Sequence, residues 1–275
     1  MFNQAVTFRE LHVPGTPFIL ANAWDIGSAR MLAAMGAKAL ATSSAAHAFT
    51  LGVPDMGQVP RDVALAHASD LVAATPLPVS GDLENGYGHD PASVAETVTL
   101  AAKAGLTGCC IEDTMLPSDS PYDFAQAVER IEAGAAAAKA ADGDFVLTAR
   151  ADGVMLGHYD LDEAIRRLKA FEEAGADVLY APMPADMDAL HSICRALEKP
   201  VNALCAGRFT QYRLADFARI GVARISLGSA LARATHKIIH EAGEAMFGVG
   251  DMSRLGQVVG SDIIDPMLTR FMDRA

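Results

Sequence analysis

The chain has 275 residues and a net charge of −12, from 34 acidic and 22 basic side chains. Its 51% apolar and 20% charged content is that of a globular chain with a sizeable core. The acidic balance excludes nucleic acid or an anionic membrane as the main partner, but not a small anionic substrate, because a local cation reverses the sign of a site.

The opening stretch, MFNQAVTFRELHVPG, has no basic region followed by an apolar one, so no signal peptide is expected. No apolar run approaches the ~18–20 residues that cross a bilayer, and a cytoplasmic protein is the expectation. The four cysteines, Cys109, Cys110, Cys194 and Cys205, show no CxxC spacing and read as core thiols of a reducing compartment.

After an N-terminal segment (1–16), short apolar runs ending in polar or Gly-rich residues alternate with helical patterns. The runs are FILANAWD (18–25), ALATSSAA (39–46), LPVSGDLE (77–84) and GCCIEDT (108–114), then FVLTARAD (145–152), DVLYAP (177–182), PVNALCA (200–206) and ARISLGS (223–229). Between them, Asp90 and Pro91 open a helix with Val94 and Val98 on one face, and Gly105 ends it. Phe124, Val128, Ile131 and Ala135 repeat the helical period, as do Ile165, Leu168 and Phe171 before Gly175. The phrases AAMGAKAL, AAKAGLTG, EEAGADVL and ARIGVARI each place a glycine between a helix and a buried strand. Strands without strict alternation suit a sheet covered on both faces. Eight of them alternating with helices predict a (β/α)₈ TIM barrel, a single domain over 1–275. An open doubly wound sheet lacks its Gly-rich first turn here. From Gly250 the pattern changes. DIIDPMLTRFMDRA offers Asp265 as cap, Pro266 at the first helical position, and Met267, Phe271 and Met272 on one side, a helical extension (250–275) packed on a neighbour.

Barrels of this kind carry their chemistry at the C-terminal ends of the strands. Those ends hold Asn22, Trp24 and Asp25; Ser43 and Ser44; Asp82 and Glu84; Glu112 and Asp113; Arg150 and Asp152; Asn202; and Ser226 and Ser229, with Asp55 in a loop shortly after the second. Asp82 and Glu84, two apart on an extended chain, point to one side. Carboxylates about 4 Å apart repel by roughly 4 kcal/mol at an effective dielectric near 20, so such a mouth holds protons or a cation. Oxygen donors without clustered His or Cys favour Mg²⁺, with Mn²⁺ possible. Arg150 pairs with a substrate carboxylate or with developing charge. His47, alone in an Ala-rich segment, reads as structural.

NAWD, TSSA, GVPD, DLENGYG, IEDT, TARAD and PVNAL, in that order, give the chain its resemblance to the isocitrate lyase/phosphoenolpyruvate mutase superfamily, from about residue 8 to about 245. The resemblance implies Asp82 as direct Mg²⁺ ligand, and Glu84, Glu112 and Asp55 holding the ion mostly through water. It implies that Ser43, Ser44 and Ala45 grip the substrate carboxylate, that Arg150 is the active-site arginine, and that Asn202 lies near the substrate. Trp24, Asp25 and Gly86 complete the expected substrate-binding set, and Arg150, Asp55 and Glu112 the catalytic one. It also implies a C-terminal helix swapped between subunits of a homo-oligomer, a dimer or tetramer.

The sequence departs from the family after the fourth strand. Lyases acting on isocitrate or methylisocitrate carry a Lys-x-Cys-Gly-His loop there; this chain has EDTMLPSDSPYDF. The Lys and Asn of the mutases are replaced by Ser118 and Asp119, and the glutamate that many lyases place after the sixth strand is absent from LYAPMPAD. The expected activity is Mg²⁺-dependent cleavage of a C–C bond in a small 2-oxo or hydroxy dicarboxylate. The alternatives are P–C bond chemistry and a non-catalytic member that keeps the metal site.

Overall fold

The computed structural model describes residues 7–141 and 144–272; the ends of the N-terminal segment and of the C-terminal extension lie outside the described residues. Eight parallel strands close into a barrel in chain order, the eighth pairing with the first. They are β1 (Phe18–Asn22), β2 (Ala39–Ala41), β3 (Val79–Asp82), β4 (Gly108–Glu112), β5 (Val146–Arg150), β6 (Val178–Tyr180), β7 (Val201–Leu204) and β8 (Arg224–Ser226). Each lies inside a run read from the sequence but is shorter, because the polar end of each run has already turned out of the sheet.

Helices α1 (Ile26–Ala34), α2 (Ser44–Thr50), α3 (Arg61–Ala74) and α4 (Pro91–Lys103) serve the first half. The second half carries α5 (Phe124–Ala140), α6 (Gly153–Leu156), α7 (Leu161–Glu173), α8 (Met187–Ala196), α9 (Leu214–Arg219), α10 (Ala230–Val249) and α11 (Ser261–Thr269). The expected cap of α4 is in place: Asp90 accepts from the Ser93 N–H and Pro91 is the first helical residue. The four phrases with a glycine share one geometry. Gly36, Gly105, Gly175 and Gly221 all have φ between 88° and 104°, a turn that releases the chain from helix to strand at little cost only in glycine.

Leu71, Val94, Val98, Ile111, Leu147, Leu168 and Phe171 lie in the fully buried shell between sheet and helices. A second cluster, with Phe8, Phe18, Leu20 and Val178, plugs the N-terminal end of the barrel. A Cβ on Gly108 would lie 3.0 Å from the Phe8 ring and 2.5 Å from the Val146 carbonyl, so glycine at the start of β4 admits the plug. Asn22 fastens the opposite end: its amide donates to Thr42 O, and its oxygen accepts from the Leu227 and Gly228 N–H groups.

The C-terminal helix begins earlier than its sequence suggests. Asp265 does not cap it and Pro266 does not start it; both lie inside α11, whose N-cap is Gly260. Pro266, the sixth residue of the helix, lies in its second turn and forgoes the i→i−4 bond to the Asp262 carbonyl. α11 packs on α1 of its own chain. Large apolar side chains stay exposed along α10 and the segment after it, notably Phe247 (89% exposed) and Val249 (87%). Among the described residues no helix is long and apolar enough to cross a membrane.

Candidate active site

A cavity of about 240 Å³ opens at the C-terminal ends of the strands. Asp55, Asp82, Glu84, Glu112 and Asp152 line it, with Arg150 and Arg233 as the cations among its described lining residues. A larger cleft of about 470 Å³ lies at the opposite end of the sheet. Its Arg9 is already neutralised by Asp144 and Asp177, so its size does not make it the chemical centre.

Asp82 is the last residue of β3. Its N–H donates to the Thr42 hydroxyl at 2.7 Å, and its Oδ2 accepts from both the N–H and the hydroxyl of Ser44, at 2.9 and 3.0 Å. Ser43 caps α2 by accepting from the Ala46 N–H. The turn expected to grip a substrate carboxylate thus fixes the orientation of Asp82, and Ser43, Ser44 and Ala45 all face the cavity.

Glu84 reaches the cavity by a different route from simple strand alternation. The strand stops at Asp82 and Glu84 takes a left-handed backbone, φ 50°. Its Oε1 accepts from the Gly57 N–H at 2.9 Å, tying the loop that carries Asp55 to the end of β3. Burial, reinforced by the charges of Asp82 and Asp55, pushes the Glu84 carboxyl up to about 7 against the Gly57 bond. Burial and Asp82 also raise Asp55, while Arg150 and Arg233 oppose the rise.

Glu112 ends β4 and Arg150 ends β5, side by side in register. The Arg150 guanidinium lies 3.3 Å from Glu112 and donates through Nε to Asp152, and it sits 5.4 Å from the centre of the Tyr180 ring. Burial holds Glu112 well above the carboxylate range despite Arg150, and lifts Asp152 to about 6. Asp152 is held from behind: its N–H donates to Asp113, which also accepts from the Tyr159 hydroxyl and Arg167.

Five buried or half-buried carboxylates against two guanidiniums form a site with excess negative charge, and this fits a bound cation. No three His, Cys, Asp or Glu side chains among the described residues converge closely enough to ligate an ion by themselves. An oxygen donor set with few direct protein ligands suits Mg²⁺, which keeps several of its waters.

Other expected residues stand elsewhere. Asp25 caps α1 in an exposed position, and the Trp24 carbonyl accepts a bond from the His67 ring; neither side chain lines the cavity. Gly86, at φ 83°, faces α4, where a Cβ would approach Val94 at 3.1 Å. Asn202 is fully buried one layer below, bonded to Ser226 and Arg224, beside a cavity of about 50 Å³ that also touches Asp82 and Arg150. His47 stacks on His67 at 3.7 Å, and burial lowers it to about 4.

The loop after β4 sends only Thr114 and Leu116 to the cavity. Ser118 bonds within its own turn, and Asp119 faces His158. None of the cysteines lines the larger mouth cavity. Sequence reasoning passed over Arg233, Met155, Leu156 and Leu204, which complete the wall; only the position of SALAR directly after β8 could have signalled Arg233.

The phosphoenolpyruvate phosphomutase profile matches residues 8–247. A Burkholderia cenocepacia J2315 protein provisionally named a lyase/mutase has a crystal structure that superposes with TM-score 0.90, at 45% identity, over 95% of this chain and 94% of its own. A second protein from that organism, provisionally named a phosphonomutase, gives TM-score 0.80 at 36% identity over 87% and 97%. The oxaloacetate decarboxylase of Paraburkholderia xenovorans (strain LB400) is 33% identical over 77% of this chain and 70% of its own.

Proposed function

This chain belongs to the phosphoenolpyruvate phosphomutase family, and on that premise we propose that it is a Mg²⁺-dependent carbon–carbon lyase. Its substrate is a small 2-oxo or hydroxy dicarboxylate, cleaved by decarboxylation or by a retro-aldol step through an enolpyruvate-like intermediate. The observation that carries this reading is the mouth itself: a cluster of carboxylates suited to hold a cation, with Arg150 among them, beside a loop that offers no Lys, Cys or His.

When bound, Mg²⁺ would polarise the oxygen on C2 and lower the cost of charge developing there. Asp82, fixed by Ser44, together with Glu84, Asp55 and Glu112, would hold the ion. The turn at Ser43, Ser44 and Ala45 receives the substrate carboxylate next to C2. Arg150, pinned between Glu112 and Asp152, keeps its guanidinium facing the charge that grows as the bond breaks. Departure of CO₂ requires no protonation of the leaving group, which makes decarboxylation of an oxaloacetate-like acid the simplest form. The exposed apolar side chains of α10 support a homo-oligomer.

The test is pyruvate release from oxaloacetate, 2-methylisocitrate and alkylmalates with Mg²⁺ and with a chelator. Mg²⁺-dependent release from at least one of them is expected. Phosphorus NMR showing rearrangement of phosphoenolpyruvate would replace this reading with P–C chemistry. Silence in both assays, with oxalate still binding, would make the chain a non-catalytic member.

A further inference from the structure

We infer that Tyr180 is the acid that delivers a proton to C3 of the substrate, a role for which the loop after β4 offers no Lys, Cys or His. This rests on the lyase reading above and applies to both of its forms. Breaking C3–C4 in a decarboxylation, or C2–C3 in a retro-aldol step, leaves the electron pair on C3, where an acid must meet it.

The sheet register places the side chain. Glu112, Arg150, Tyr180, Asn202 and Arg224 are successive partners on β4 to β8. Partners in register share one side of the sheet, and strand tilt carries such a row along the barrel axis. This row starts at the mouth with Glu112 and ends in the base with Arg224. Tyr180 stands between: with Asp82, Arg150 and Gly228 it lines both the mouth cavity and the smaller one of about 50 Å³ beneath.

Hydrogen bonds from below fix where the phenol proton points. Arg224 can only donate, so its Nε bond at 2.8 Å holds the Asn202 oxygen towards it. That turns the Asn202 amide nitrogen to Ser226 Oγ, 2.9 Å away. The Ser226 proton is then free for the Tyr180 oxygen, where it favours the ionised phenol. With its oxygen accepting from Ser226, Tyr180 is left to aim its own O–H into the cavity.

Arg150 lies 5.4 Å from the centre of the Tyr180 ring. Burial raises the phenol above the ordinary tyrosine range and Arg150 opposes that rise. Tyr180 is therefore a neutral acid before the step, and the phenolate that it becomes is met by a guanidinium and a hydroxyl. Other donors of the wall are less suited. Asp152 is bound to Arg150, the two arginines keep their protons, and serine and threonine hydroxyls are weaker acids than a phenol.

In the step, the Tyr180 O–H bond breaks and a C–H bond forms at C3 with the pair released from the broken C–C bond. Solvent water then returns a proton to the phenolate. In decarboxylation this is the proton that the overall reaction consumes as C4 leaves as CO₂. In retro-aldol cleavage it replaces the proton that the C2 hydroxyl gives up to water.

Tyr180→Phe keeps the ring beside Arg150 and removes only the hydroxyl. Wild type and variant are compared in D₂O with Mg²⁺ on 3-methyloxaloacetate and 3-methylmalates, reading the configuration of the deuterated carbon by NMR after immediate derivatisation, and oxalate affinity by calorimetry. Wild type should deuterate one face. In Tyr180→Phe, kcat should fall roughly a hundredfold with oxalate affinity within about twofold. The product that still forms should carry deuterium on both faces equally, as a carbanion quenched by bulk water does. Deuterium on both faces already in wild type, or on a single face in the variant, overturns the assignment. A parallel loss of oxalate affinity overturns it too, because the hydroxyl would then serve binding alone. A wild type that turns over no substrate of either kind would sink the lyase reading, and this inference with it.

Discussion

The barrel interior holds two charged layers that solve the problem of burial in opposite ways. The upper layer is anionic: Asp55, Asp82, Glu84, Glu112 and Asp152 around Arg150. The lower is cationic: Arg224, buried on β8, meets only neutral partners. It donates to Asn202 at 2.8 Å and Thr148 at 3.0 Å, and lies 3.2 Å from His12 Nε2. Burial draws the Arg224 guanidinium down to about 10, and burial with the Arg224 charge draws His12 down to about 3. With His12 Nδ1 bonded to the Phe8 carbonyl at 2.9 Å, the ring is neutral and its Nε2 accepts. A cation among fully committed acceptors is a structural part. Crowded carboxylates, four of them pushed up by burial and by their acidic neighbours, form a site that fits a counterion.

The largest expected effect is in the upper layer. Asp82→Asn should abolish Mg²⁺ binding by calorimetry and cut turnover by about 100-fold or more, while the melting temperature in chelator holds or rises as repulsion is relieved. A melting temperature several degrees lower would mean that Asp82 is structural. Below, Arg224→Met should show the reverse. It leaves the acceptors of Asn202, Thr148 and His12 without a donor, at about 1–3 kcal/mol of stability by urea unfolding, with turnover changed by less than about tenfold. Loss of activity in a fully stable variant would erase the distinction between the layers.

The smallest effect is a pH slope. Above about pH 6.5 the His12 ring is neutral in both folded and unfolded chains, so its full contribution is present. Below that, the unfolded chain takes up a proton that the folded one refuses until about pH 3. Stability attributable to His12 therefore falls through this window, by at most about 1.4 kcal/mol per pH unit. Urea midpoints at pH 7 and 5 should diverge more in wild type than in His12→Gln. Equal slopes would mean that His12 is charged in the fold.

The barrel was legible because eight strands buried on both faces leave the same signature eight times, and because four of the returns from helix to strand carry glycine at positive φ. Asp82, Glu84, Glu112 and Arg150 were legible because strand ends place them at one mouth. Asp25 and Gly86 misled because a helix cap and a close approach to α4 use the same residue types as a binding site. Glu84 came to the mouth by a backbone turn that side-chain alternation does not encode. Arg233 was hidden because its place at the mouth depends on where a helix starts and on Phe49, 184 residues earlier in the chain. The start of α11 was misplaced because Asp-Pro is a strong helix opener locally, while packing on α1 extends the helix past it.

Among the described residues, the non-glycine ones with left-handed backbones are Met56, Glu84, Tyr87 and Met183, and the first two line the mouth. Each costs on the order of 1 kcal/mol that asparagine or glycine would largely relieve. A population of this chain selected for heat resistance alone, without substrate, should therefore change first at 56, 84 and 87. Replacement at 84 would relax the backbone, but at the cost of the bond to the Gly57 N–H and of a carboxylate of the mouth.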